Sequence, residues 1–135
     1  MFYHEDWLIR QIEMMIQAIL NKICKKESGS SFEEKSKIQQ TILDLLSNDK
    51  ICEAENLIFE FADEKRNDYN YLLTVLDFYK NLNGMSEDYL NKHNFSHQEI
   101  REGVLNFCSY YDSDEIKKIL NTFELERLVK GDDDI

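Results

Sequence analysis

Apolar residues recur along this chain at three- and four-residue spacings almost throughout, the pattern of helices that each turn one face inward. Leu8, Ile9, Ile12, Met15, Ile16, Ile19, Leu20 and Ile23 share one broad face of a first helix from about Glu5 to Lys26. Its last turn carries Lys22, Lys25 and Lys26, where the helix dipole favours cations. Residues 49–82 read as two further helices joined by a tight polar turn, and the rest of the chain is expected to be arranged around this pair. In the first of the two, Ile51, Ala54, Leu57, Ile58, Phe61 and Ala62 align, with Phe59 widening the arc. In the second, Tyr71, Leu72, Val75, Leu76, Tyr79 and Leu82 make the inner face, and Asn70, Thr74, Asp77 and Asn81 the outer one.

Start and stop signals place the remaining elements. Ser31 and Glu34 form a capping box, in which each side chain can satisfy a free N–H of the first turn, and it opens a helix to about Leu46 with Phe32, Ile38, Ile42, Leu45 and Leu46 inside. Asn83 and Gly84 read as a helix stop, Ser86 starts a short helical turn, and residues 92–95 form a loop. Ser96 with Glu99 opens a helix to about Tyr111, with Ile100, Val104, Phe107, Cys108 and Tyr111 inside. Gly103 in its middle costs roughly 1 kcal/mol against alanine, which points to a close crossing there. Asp112 with Glu115 resembles a further box that starts the last helix, and residues 131–135 read as a frayed acidic tail. Proline is absent and glycine occurs four times, so little breaks these runs into strands. The pattern predicts an all-α chain without sheet, an array of antiparallel helical hairpins. Residues 1–135 form one domain, with an N-terminal helix over 1–26, a linker over 27–31, the array over 32–130 and the tail over 131–135.

Charge narrows the choice of partners. The formal net charge is −11, and residues 1–31 hold four acids and four bases, so every excess negative charge lies beyond them. A phosphate backbone or anionic bilayer is bound through clustered Lys and Arg, so neither nucleic acid nor membrane is expected as a partner. No segment approaches the ~20 apolar residues that span a bilayer, and Glu5, Asp6, Arg10 and Glu13 interrupt the opening segment before a signal peptide can form. Cys24, Cys52 and Cys108 are odd in number and far apart, which fits reduced thiols and a cytoplasmic location.

Few residues carry a chemical signature. His93 and His97 have the spacing of two metal ligands on one helical face, but the Ser96 cap leaves His93 outside the helix, and the expectation is a loop histidine and a surface histidine with no metal. Asp112, Asp114 and Glu115 lack the glycine and the closing glutamate of a calcium loop. Opposite the main stripe of the first helix, Trp7, Met14 and Ala18 align at seven- and eleven-residue spacings into a second, narrow apolar strip. Trp and Met are enriched in interfaces, so this strip is the candidate surface for a protein partner or for a homodimer made through the N-terminal helix, with Trp7 as anchor.

The segment from Ile38 to Phe61, with Asn48 and Asp49 at its turn, Ile51 and Ala54 in its second helix and Ile58 one turn on, resembles a degenerate tetratricopeptide repeat hairpin. Through EDWLIRQIEMMIQAI and LDFYKNLNGMSEDYLNKHNFSHQEI the chain as a whole also resembles a family of short, acidic, all-helical bacterial proteins of uncharacterised function. That resemblance implies no catalytic residue and no cofactor. The expected role is a non-enzymatic protein–protein interaction module acting through helix faces. The alternatives are an enzyme with a carboxylate and histidine site, or an acidic decoy that imitates nucleic acid.

Overall fold

The computed structural model describes the backbone of residues 2–26 and 37–133, and the side chains of residues 7–23 and 37–123. Among the described residues the chain forms seven helices and no strand: α1 (Phe2–Lys26), α2 (Lys37–Ser47), α3 (Ile51–Glu60), α4 (Tyr69–Asn83), α5 (Glu87–Lys92), α6 (His97–Cys108) and α7 (Asp114–Asp133). The linker over 27–31, the Ser31 and Glu34 capping box and Phe32 lie outside the described residues. None of the helices is long and apolar enough to cross a membrane, among the described residues.

Local chemistry accounts for the helix ends. The Ser86 hydroxyl accepts from Tyr89 N–H and the Ser96 hydroxyl from Glu99 N–H, as the sequence predicts, and the Asp68 carboxylate caps α4 by accepting from Tyr71 N–H. The last helix is capped by Ser113, whose hydroxyl accepts from Ile116 N–H, and not by Asp112 as expected; Ser113 is buried where Asp112 is exposed. α7 continues through Gly131 to Asp133, into the segment expected as a tail. α2 and α5 both end in a Schellman motif with a left-handed residue that is not glycine, Asp49 at φ 62° and Asn94 at φ 60°. Lys50 N–H returns to Leu45 O and Phe95 N–H to Leu90 O, each at 2.9 Å, closing the two motifs. Tyr89 then donates its hydroxyl to the Asp49 carboxylate, which fastens α5 to the α2–α3 turn.

α4 lies at the centre, packed against α1, α6 and α2, while α1 also meets α6 and α7. The expectation that α3 and α4 together organise the chain holds only for α4. Eight residues, 61–68, separate the two helices, and α3 packs mainly on α2. With neighbours on several sides, α4 buries a wide arc, Thr74 and Phe78 included, and leaves Asp77, Lys80 and Asn81 exposed. Thr74, expected to face outward, accepts a 2.7 Å hydrogen bond from the buried Gln39 amide of α2. α4 reaches α3 with tyrosine hydroxyls: Tyr71 donates to Ile58 O at 3.1 Å and Tyr79 to the Glu55 carboxylate at 2.7 Å. A third buried tyrosine, Tyr111, donates to Asp68 O at 2.8 Å, so each of these large rings satisfies its polar tip. Arg101 of α6 is 1% exposed and donates to Gln11 Oε1 of α1 at 2.7 Å and to Phe123 O of α7 at 2.8 Å, joining three helices with charge-assisted bonds.

Candidate functional site

A face of α3 at the edge of the core repeats at 52, 55, 56 and 59, and a face of α6 repeats at 99, 102, 103 and 106. Each set follows the i, i+3, i+4, i+7 rule for one side of a helix. The two sides meet across an open groove of about 500 Å³, lined by Cys52, Glu55, Asn56 and Phe59 of α3, by Glu99, Glu102, Gly103 and Asn106 of α6, and by Asn94 and Phe95 from the turn between α5 and α6. An adjoining hollow shares Phe59 and Asn106 and carries the groove on to Ser109 and Tyr110, a ring 40% exposed.

Gly103 is the hinge of this construction. A β-carbon there would lie 2.3 Å from the Tyr79 hydroxyl oxygen, so the bare backbone is what lets the Tyr79 ring pass across α6. The close crossing anticipated at Gly103 is therefore made by a tyrosine side chain of α4. The same ring ends in the hydroxyl that donates to Glu55, so a core residue sets the position of a groove carboxylate.

Three carboxylates line the groove, and the charges of two of them, Glu55 and Glu99, show in the titration of its groups. Burial pushes the Glu55 carboxyl above its ordinary range, the Tyr79 hydrogen bond pulls the other way, and the Glu99 charge adds to the rise. Partial burial, then Glu55, then Glu99, raise the Cys52 thiol. Its sulfur lies 3.5 Å from His93 O and 3.7 Å from Asn94 O, so the S–H points at backbone carbonyls. A thiol held protonated among carboxylates is a weak nucleophile, whereas the same field favours a cation.

The residues singled out from sequence lie elsewhere. Trp7 is half-buried and packed against the core, Ala18 is half-buried, and Met14 stands 56% exposed on α1. The strip thus divides, because α1 is covered along much of its girth by α4, α6 and α7. His93 and His97 do not converge: the His93 ring stacks on Tyr89 with centroids 4.6 Å apart, while the His97 ring lies between the Glu87 carboxylate at 2.6 Å and Asn83 O at 3.3 Å. His97, expected at the surface, is 1% exposed, since α5 folds its Glu87 over the start of α6. Among the described residues no three His, Cys, Asp or Glu side chains are grouped to hold a metal. The sequence pattern marks Glu99 only as the partner of the Ser96 cap and singles out neither Glu55 nor Glu102; the paired four-position spacing on two helices, with a glycine inside one of them, is the signal that could have found them.

The chain belongs to a family of unknown function (DUF6483), whose family model matches residues 2–112 and so covers the whole groove. No curated protein and no solved structure matches the chain.

Proposed function

We propose that this member of a family without an assigned activity is a non-enzymatic interaction module whose α3–α6 groove takes a basic segment of a partner protein. The observation that carries the reading is the pairing of Glu55, Glu99 and Glu102 with an apolar lining of Phe59 and Phe95. A Lys or Arg side chain matches both at once, its aliphatic stem lying on the half-buried Phe59 ring and its charged head meeting the carboxylates. Asn56, Asn94 and Asn106 add amides that can hydrogen-bond an extended backbone. On this reading α2 and α3 act as a tetratricopeptide-like hairpin within an antiparallel array, and α3 presents its outer face to the partner. The free thiols Cys52 and Cys108 fit a cytoplasmic site of action.

The test is a titration of isotope-labelled protein with a short Lys- and Arg-containing peptide, read through the side-chain amide signals of Asn56, Asn94 and Asn106. These signals should shift together and saturate. Glu99→Lys with Glu102→Lys should abolish the shifts, whereas the same change in net charge placed at the exposed Glu53 and Asp77 should leave them. Equal loss in both variants would mean attraction to overall charge only, and the groove reading would fall.

A further inference from the structure

A second cavity, of about 320 Å³, lies between α1 and α4 and shares no residue with the groove. Glu13, Met14, Ile16 and Gln17 line it from α1, and Lys80 and Asn83 from α4. Asn83 is 3% exposed and donates its amide to Ile9 O at 3.1 Å. That bond fixes the amide orientation, because a flip would set two oxygens against each other, and it leaves the buried Oδ1 with no hydrogen-bond partner. Met14, at the edge, is the most exposed large apolar side chain among the described residues. Glu13 and Lys80 are both exposed, and neither makes an ion pair among the described residues.

One patch therefore carries a projecting thioether beside a hollow and an unpaired acid beside an unpaired base. Such a patch is complementary to itself, which is the requirement of a two-fold contact, where residue i meets j and j meets i. We infer that two copies of the chain meet here, each setting Met14 against the other's cavity and Glu13 against the other's Lys80. Charge supports this occupant. The chain carries −11 overall, while residues 1–31 are balanced, so α1 is where two copies approach with least repulsion. Met14 replaces Trp7 as the anchor, since Trp7 packs inward. The groove stays open in such a dimer, which would offer two basic-segment sites per particle. The contact stands independently of the groove reading.

Sedimentation of the full chain tests the inference. The unaltered protein should dimerise with a dissociation constant of about 10 µM, the range of a small interface. Met14→Glu, Glu13→Lys and Lys80→Glu should each weaken association by about tenfold or more, with unchanged helical circular dichroism because all three sites are exposed. An equimolar mixture of Glu13→Lys and Lys80→Glu chains should dimerise again, since each chain then meets the opposite charge in its partner at both contacts. A monomer at 100 µM overturns the inference. So does a mixture no better associated than its two components, because repair between chains cannot arise from contacts within one chain.

Discussion

Replacing Gly103 by alanine in the middle of α6 tests how the core holds the groove. The added methyl carbon would sit 2.3 Å from the Tyr79 hydroxyl oxygen, 2.6 Å from Cζ and 2.8 Å from Cε1, where carbon contacts normally settle at about 3.5–4.0 Å. The ring is held by its neighbours: Tyr79 is fully buried and packs edge-on against Phe78, with centroids 5.0 Å apart. Overpacking of this kind costs about 1–3 kcal/mol. Displacing the ring also breaks the bond to Glu55, worth about 1 kcal/mol at a partly exposed carboxylate. Alanine returns about 1 kcal/mol of helix propensity. The expected balance is a loss of about 1–3 kcal/mol, which at an m-value of roughly 2 kcal/mol/M lowers the urea midpoint by about 1 M. Urea unfolding followed by far-ultraviolet circular dichroism reads it, with the slope unchanged. In a Tyr79→Phe background, which removes the nearest of the three atoms, the same substitution should cost less by about 0.5 kcal/mol or more. An unchanged or raised midpoint for Gly103→Ala would show that alanine is accommodated as in any exposed helix, and the argument for Gly103 would be refuted.

Two further predictions concern titration in and beside the groove. Burial pushes the Cys108 thiol up to about 12, so in a Cys24→Ser background only Cys52 should react with a disulfide reagent near pH 8, more slowly than a free cysteine. Glu99→Gln should speed that reaction; a Cys52 faster than free cysteine would contradict the field described here. Folding raises the Glu55 carboxyl above its ordinary value of 4.5, so its contribution to stability is fully present below that value and lost as pH rises through the folded value. Glu55→Gln keeps an acceptor for Tyr79 and should therefore gain stability relative to the unaltered protein from about pH 4 to about pH 7, measured by urea midpoints; a constant difference would refute the assigned direction.

Much of the local structure was legible along the chain. The buried face of α1, the serine caps of α5 and α6, and the helical class itself follow from interactions between residues three or four apart, which any stretch of sequence displays. Sequence alone places the start of α7 one residue early, because Asp112 and Ser113 are both competent caps and only the fold decides which is turned inward.

Which helix lies at the centre, and which outer face becomes a groove, depended on pairings between residues far apart in sequence. Thr74 reads as solvent-facing until Gln39, 35 positions away, supplies a partner that makes its burial affordable. His97 reads as a surface residue until Glu87 folds over it. The carboxylates of the groove read as ordinary solvated positions, because the spacing of each helix is visible alone but their meeting is not. Periodicity tells a residue's angle about its own helix axis. It carries no information about what stands opposite, and the field that three carboxylates make together exists only once α3 and α6 face each other, with Tyr79 threaded past Gly103 to hold Glu55 in place.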